Sequence, residues 1–198
     1  MPNYSNYDII PSNMPVEKRG KSEQLPTVES AWLLELSHFI VEANTHTWAG
    51  DGVEVPPQRP GYKELEYKRG DWYLRDSYTG YFRAPGMTTV YYNEIPVWTQ
   101  SYGGTGMAES HYPMAEPTFQ FLRAALKRVT PELPFRGPKE FTRKDFRYRF
   151  HLDEGDITDF AWRESISYQG IAVFLQRGFG GLVVHKTRQP IQPWETAK

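Results

Sequence analysis

The sequence predicts an α+β fold in which two helices pack against an antiparallel sheet. Three observations favour this fold. Two stretches carry apolar residues at helical spacing, each is followed by about four runs typical of β-strands, and a short hairpin pattern occurs twice. Because the helices do not alternate with single strands, the order of elements does not fit a parallel βαβ sheet.

The repeated hairpin comprises residues 92–100 (Tyr-Asn-Glu-Ile-Pro-Val-Trp-Thr-Gln) and residues 168–176 (Tyr-Gln-Gly-Ile-Ala-Val-Phe-Leu-Gln). The offset between the copies is 168 − 92 = 76 residues, and a pair of glycines follows each copy within five residues. We interpret the pattern as an internal duplication, with halves at about 27–106 and 116–185 that each contain a helix and about four strands. A domain built from two such halves tends to place a ligand between them.

Both helices are predicted from their apolar stripes and their termini. The first begins near Thr27, a residue type that caps helix N-termini, and ends before Gly50, a residue type typical of C-caps. The second spans about residues 117–129, with proline in its first turn. The stripes consist of Trp32, Leu36, Phe39, Ile40 and Ala43 in the first helix and Phe119, Leu122, Leu126 and Val129 in the second.

Length and composition predict one domain over residues 26–186, with a mobile polar arm at 1–25 and a loose tail at 187–198. The net charge of −1 provides no electrostatic footprint for direct nucleic-acid binding. No run of apolar residues is long enough to span a bilayer, and no secretory signal is evident. The chain has no cysteine, which excludes disulfides and zinc–thiolate sites. These observations predict a cytoplasmic protein without a membrane partner.

Strand alternation predicts an aromatic cleft on the hairpins. One face carries aliphatic positions suited to packing against a helix, namely Val90, Tyr92, Ile95, Val97 and Thr99. The opposite face presents an aromatic residue followed two residues later by glutamine in both copies, as Trp98 and Gln100 and as Phe174 and Gln176. An apolar wall with a few polar groups is typical of small-molecule sites, whereas the alternative is an ordinary half-exposed sheet.

Four charged residues are candidates for polar contacts with a ligand, namely Glu54, Arg59, Asp76 and Arg136. Alternation places Asp76 on an apolar face, where a carboxylate must be paired, hydrogen-bonded or shifted in pKa, so it is either a structural ion-pair partner or a functional acid. Glu54 lies in a loop rich in glycine and proline at residues 50–61, which is either a lid or a solvated connector. Arg136 has a planar fork that suits a carboxylate or phosphate, but it can equally cap a helix or pair with Asp76.

The full set of candidate ligand-binding residues is Glu54, Arg59, Tyr67, Asp76, Tyr78, Trp98, Gln100, Tyr102 and Arg136. Asp76 and Glu54 are also the candidate catalytic bases. The five histidines lack the spacing of a zinc helix motif, and no P-loop, dinucleotide fingerprint or nucleophile elbow occurs. The sequence therefore predicts no metal site and no cofactor.

Several short motifs occur in a defined order, from Glu42-Ala43 through Arg59-Pro60-Gly61, Asp76-Ser77-Tyr78 and Pro96-Val97-Trp98 to Pro134-Phe135-Arg136-Gly137-Pro138 and Trp162. With these motifs, residues 36–181 resemble a bacterial domain of unknown function that occurs alone or behind helix-turn-helix regulators of the XRE type. The resemblance implies a sensory, ligand-binding role. The regulators' DNA-binding segment has no counterpart in residues 1–25, so direct DNA binding is not expected.

Three functional hypotheses follow. The first is a small-molecule-binding domain in which residues 50–61 form a lid over the cleft. The second is a cofactor-free enzyme of isomerase, lyase or cyclase type, in which Asp76 or Glu54 acts as base and a tyrosine as acid. The third is a protein-interaction or assembly module, such as a homodimer, that uses the aromatic face as an interface.

Overall fold

The computed structural model describes residues 27–106 and 109–184 and confirms the predicted α+β class, with one antiparallel sheet of eight strands and two α-helices. The predicted arm at 1–25 and tail at 187–198 lie outside the described residues. In chain order the elements are α1 (Val28–His46), β1 (Lys63–Arg69), β2 (Trp72–Tyr78), β3 (Gly86–Tyr92), β4 (Ile95–Gly106), a 3-10 helix (Glu109–Met114), α2 (Ala115–Leu126), β5 (Glu140–Arg143), β6 (Phe146–Asp156), β7 (Asp159–Tyr168) and β8 (Ile171–Leu182).

The sheet consists of two four-stranded meanders that meet in the middle. Its order is β1-β2-β3-β4-β8-β7-β6-β5, so β4 of the first meander pairs with β8 of the second. An α-helix precedes each meander, which is the predicted sequence of elements. The common origin of the two halves stays a prediction.

Helix α1 forms where the sequence predicts it. The Thr27 side chain accepts a hydrogen bond from the Ser30 backbone N–H at 3.1 Å and so caps the N-terminus. All five predicted stripe residues are buried. Among them, Trp32 and Phe39 lie 5.2 Å and 5.3 Å from the ring of Trp72 on β2, which fixes α1 on the first meander.

Helix α2 begins and ends slightly earlier than predicted. It spans Ala115–Leu126, so Pro117 falls inside its first turn, where no intrahelical N–H donor is needed. Val129 is buried but follows the helix. Phe121 and Leu122 pack into the core, whereas Phe119 is only partly buried. Neither described helix combines the length and the apolar composition that a bilayer crossing requires.

A β-bulge in each hairpin makes the predicted assignment of faces wrong. Val90 pairs with Trp98 while Tyr91 pairs with Pro96, so Val97 is an extra residue on β4. In the second hairpin, Ile166 pairs with Phe174 and Ser167 pairs with Ala172, so Val173 is extra in the same way. A one-residue shift transfers every following side chain to the other face, so Val90 lies on the same face as Trp98. The helices cover this shared face.

Candidate functional site

A cleft of about 190 Å³ lies between the helix-covered face of the sheet and the two helices. Strands β2, β3, β4 and β8 form its floor, the C-terminal end of α1 forms one wall, and α2 forms another. Six of the nine predicted ligand-binding residues line this cleft, namely Glu54, Asp76, Tyr78, Gln100, Tyr102 and Arg136. Their roles in binding stay predictions, but the fold brings them together.

Asp76 is buried in the floor and contacts two hydroxyl groups. Its Oδ1 accepts a hydrogen bond from Thr88 Oγ1 at 2.7 Å, and the Tyr102 hydroxyl lies 3.0 Å and 3.1 Å from its two oxygens. The register creates this contact, because Asp76 pairs with Thr88, and Tyr102 pairs with Gly86 two residues further along and so on the same face. A side chain at Gly86 would collide with the phenol, since an added Cβ would lie 2.4 Å from the Tyr102 hydroxyl oxygen.

Burial raises the pKa of Asp76 above its usual value, and the hydrogen bonds from Thr88 and Tyr102 and the positive charge of Arg136 only partly oppose this shift. Among the described residues, no lysine, arginine or histidine lies within ion-pair distance of Asp76. The structural ion pair that the sequence left open for Asp76 therefore does not form there. Asp76 is a buried carboxyl group whose direct hydrogen-bond partners are two neutral hydroxyl groups.

Arg136 pairs with a different acid. Its Nε and Nη2 donate to Glu164 Oε1 at 3.1 Å and 2.9 Å, and Tyr148 donates to Glu164 Oε2 at 2.7 Å. Burial disfavours the charged guanidinium, but the attraction of Glu164 outweighs this effect and raises the pKa of Arg136. The charges of Arg136 and Glu164 therefore compensate each other within the fold.

Two glutamine amides from the two meanders complete the floor. Gln100 on β4 accepts from Trp162 Nε1 at 3.2 Å, and Gln176 on β8 accepts from Arg136 Nη2 at 3.5 Å. Each contact holds the amide oxygen, and within the described residues neither NH₂ group donates a hydrogen bond. The lack of a side chain at Gly104 leaves room for Gln176, whose Cβ would lie 3.1 Å from a Cβ at that position. The NH₂ groups of both amides can therefore donate hydrogen bonds to a bound molecule.

Charged and aromatic side chains form the rim of the cleft. Glu54 lies 3.4 Å from Lys63 Nζ and accepts a long hydrogen bond from the Tyr78 hydroxyl at 3.5 Å. Burial, followed by the charges of Glu54 and Asp76, raises the pKa of Tyr78 to about 12. The loop that carries Glu54 is held against β1, because the Val55 backbone N–H donates to the Glu64 carbonyl at 2.9 Å.

Helix α2 contributes further rim residues that the sequence did not single out. Glu116 accepts from the Tyr81 hydroxyl at 3.0 Å and from Gln120 Nε2 at 3.0 Å. The Arg123 guanidinium lies 5.4 Å from the ring centre of Trp48, within the range of a cation–π contact. The spacing of Glu116, Gln120 and Arg123 places them on one face of the helix, which is the signal that sequence reasoning could have used.

Three predicted ligand-binding residues lie outside the cleft. Trp98 is fully buried in the core, donates from its indole to the Ile157 carbonyl at 3.0 Å and stacks on Phe160. It is on the same face as Gln100 but closer to the hairpin end, where the helices close over the sheet. The other two make contacts of their own.

Tyr67 on β1 donates to Glu42 of α1 at 2.5 Å, and its ring stacks on His46 at 4.8 Å. Arg59 lies 3.9 Å from the ring centre of Tyr62, within the exposed loop. Both residues therefore make local contacts at the first meander and its preceding loop, and neither lines the cleft.

Within residues 27–106 and 109–184, no group of three or more histidine or acidic side chains is arranged to hold a metal ion. The arrangement instead defines an α+β domain with a polar-floored cleft under two helices. The chain belongs to the family described as "Domain of unknown function (DUF5680)", whose model matches residues 76–183, more than half of its length. The match includes every floor residue from Asp76 to Gln176 and leaves α1 and β1 outside. No curated protein and no solved structure gives a significant match.

The raised pKa of Asp76 predicts a specific pH dependence of stability. The folded state binds more protons than the unfolded chain between the usual aspartate pKa of 3.8 and the folded pKa, so this group lowers the free energy of unfolding as pH rises through that interval. Asp76→Asn removes the titration. The free energy of unfolding of the variant, relative to that of wild type, should therefore increase with pH and then level off. Urea unfolding of both proteins from about pH 4 to about pH 8 measures this difference. A constant difference across this range would contradict the prediction.

Proposed function

We propose that this protein is a small-molecule-binding domain whose ligand occupies the cleft between the sheet and the two helices. The observation that supports this most directly is the floor, where two amide NH₂ groups and a buried carboxyl group line an open cavity. Buried polar groups in protein interiors normally have partners, because unsatisfied ones cost free energy. A ligand that supplies the missing partners accounts for this arrangement.

The volume of the cleft limits the ligand to a small molecule. A cavity of about 150 Å³ holds benzene, and this cleft is about 190 Å³. Its walls include aromatic rings on both sides, from Trp48 at the end of α1, Phe119 of α2 and Phe174 of β8. A single substituted ring therefore fits both the size and the lining of the site.

The family resemblance and the composition support the cellular location and the partners that we include in the proposal. Similar domains behind XRE-type regulators support a sensory function in a bacterial cytoplasm. The net charge of −1 supports a domain that does not bind nucleic acid directly, and we include no membrane partner and no cofactor in the proposal. A homodimer is compatible with this role.

Blocking the cleft tests the proposal. Ala84 lines the cleft and is partly buried, so Ala84→Leu places a branched side chain in the ligand volume. Ala161 is also partly buried but follows Phe160 on β7 and points to the other face of the sheet, so Ala161→Leu is the matched control. In a thermal-shift screen of single-ring metabolites and fragments, compounds that stabilise wild type should lose most of their effect in Ala84→Leu and keep it in Ala161→Leu. Equal effects in both variants, or no stabilising compound, would contradict the proposal.

Catalysis is the second candidate, and the contact between Asp76 and Tyr102 favours it. A carboxyl group with a raised pKa next to a phenol inside a cleft is an arrangement that general acid–base enzymes use. Glu54 fits the base role less well, because its side chain is half exposed and lies near Lys63. The enzyme hypothesis requires turnover of a bound compound that Asp76→Asn abolishes. The interaction-module hypothesis has the least support, because the helices cover the aromatic face.

A further inference from the structure

We propose that the ligand of this cleft carries a cationic group, such as a protonated amine or amidine, that binds against Asp76. This inference rests on the proposed function and specifies the chemical class of its ligand. It follows from how the charges of the site are compensated.

The cleft is lined by six charged side chains, and three of them, Glu54, Lys63 and Arg136, are paired within the protein. Glu116 and Arg123 are exposed to solvent on α2. Glu54 and Lys63 lie 3.4 Å apart at the rim. Arg136 is paired with Glu164, which is the neighbour of Gln176 on β7 and is fully buried. An additional anion in the floor would therefore gain little from Arg136, whose charge Glu164 already neutralises.

Asp76, in contrast, is buried and has hydrogen-bond donors but, among the described residues, no cation within ion-pair distance. Its relative exposure is 7%, and its two partners, Thr88 and Tyr102, are neutral hydroxyl groups. A buried ionised carboxylate is costly unless a cation pairs with it. A ligand cation in the cleft would supply the missing charge and would favour the ionised form of Asp76.

No cation among the described residues pairs with Asp76, although two arginines line the same cleft. Arg123 of α2 acts on Tyr78 through its charge but lies outside ion-pair distance of Asp76. Tyr78 lies two residues after Asp76 on the same strand and lines the cleft. Thr88 faces Asp76 from β3, and Tyr102 faces it from β4. Leu65 is its neighbour on β1. The nearby positive charge is that of Arg136, from the segment after α2, which acts on Asp76 through space but binds Glu164.

The remaining lining fits the rest of such a ligand. Phenol, indole and phenyl rings around the cavity attract a cation through their faces and pack against an aromatic ring. The unpaired amide NH₂ groups of Gln100 and Gln176 suit a hydrogen-bond acceptor elsewhere on the molecule. The site therefore fits a single ring with a short cationic arm.

Three probes of equal ring size and different charge test the inference, namely benzylamine, benzyl alcohol and benzoate. Binding is measured by NMR titration of isotopically labelled protein at neutral pH, with the side-chain amide signals of Gln100 and Gln176 as reporters of the cleft. We expect benzylamine to bind at least about tenfold more tightly than benzyl alcohol, and benzoate to bind most weakly.

Three carboxyl-to-amide variants identify the group that selects the cation. Asp76→Asn should remove the preference for benzylamine and leave benzyl alcohol binding nearly unchanged. Glu116→Gln removes a charge from the same cleft, yet it should weaken benzylamine by only about twofold, because Glu116 lies on the more exposed rim. Asp153→Asn, on the opposite face of the sheet beside Arg163, should change nothing.

The pH dependence provides a second readout. Benzylamine affinity should rise with pH while Asp76 in the free protein loses its proton, and then remain constant, whereas benzyl alcohol affinity should not follow this curve. Equal or tighter binding of benzyl alcohol or benzoate in the cleft would overturn the cation inference and leave the ligand-binding proposal intact. If no probe shifts any cleft signal and the wider screen finds no compound, both proposals fail.

Discussion

Arg136→Met is expected to lower the free energy of unfolding by about 3–5 kcal/mol, the usual cost of breaking a buried ion pair from one side. The substitution keeps most of the apolar stem but removes both hydrogen bonds to Glu164 Oε1. Glu164 would then keep only the hydroxyl of Tyr148, in a position where its side chain has no contact with solvent. An unpaired buried carboxylate is the dominant cost.

A double-mutant cycle separates this cost from lost packing. Adding Glu164→Gln to Arg136→Met removes the unpaired charge, so the double variant should be more stable than Arg136→Met alone. The matched control is Arg163→Met, which breaks the exposed pair with Asp153 on the open face and should cost less than about 1 kcal/mol. Urea unfolding of wild type, Arg136→Met, Glu164→Gln, the double variant and Arg163→Met measures these differences. A cost for Arg136→Met as small as that of the control would mean that the ion pair is not desolvated.

Trp98→Ala is the second large effect, with an expected loss of about 3–5 kcal/mol in the free energy of unfolding. Trp98 has 0% exposure, its ring centre lies 5.6 Å from that of Phe160, and its indole N–H donates to the Ile157 carbonyl. Alanine leaves a large cavity between the sheet and the helices and leaves that carbonyl without its donor. Chemical denaturation followed by circular dichroism checks the value.

Trp48 is the control that separates an effect on core stability from an effect on binding in the cleft. Trp48 lines the cleft and is partly buried, so Trp48→Phe should change probe binding with little effect on stability. Trp98→Phe, which keeps a ring in the core, should lower stability and leave the affinity of benzylamine unchanged. If Trp98→Phe weakened binding as much as Trp48→Phe did, Trp98 would have the ligand contact that the sequence predicted.

Asp76 shows what sequence alternation predicts well. Strands β1, β2 and the first part of β3 pair without interruption, so counting in steps of two correctly placed Asp76 on the face of Trp72 and Leu74. The helices were equally predictable, because the apolar spacing of α1 extends over the whole helix and Thr27 marks its start. Continuous periodicity carries structural information over the length of an element.

The bulges at Val97 and Val173 show where this reasoning fails. Valine at both positions gives no signal of an extra residue, because glycine or a change in hydrophobicity is what usually marks a bulge. Counting through Val97 therefore assigned Val90 and Trp98 to opposite faces. The error did not affect the relation of Gln100 to Tyr102, which lie on the same side of the bulge, so these two residues were still correctly grouped.

The partner of Arg136 was beyond sequence reasoning for a different reason. Glu164 lies 28 positions later in the chain, and nothing in the local pattern distinguishes it from the other acids. Only the fold of the second meander brings β7 under the segment that follows α2. An ion pair between residues far apart in the chain depends on the tertiary fold, which local sequence patterns do not predict.

The seam between β4 and β8 has a consequence for how the candidate site forms during folding. Gln100 and Gln176 reach the same floor only because these two central strands hydrogen-bond along nine residue pairs. Neither meander by itself contains the complete floor of the cleft, and each would expose the unpaired edge of β4 or β8 to other chains. Pairing of β4 with β8 joins residues about 76 positions apart, so it must wait for closure of a long loop. The candidate site is therefore completed late in folding, in the same step that covers the edges that promote aggregation.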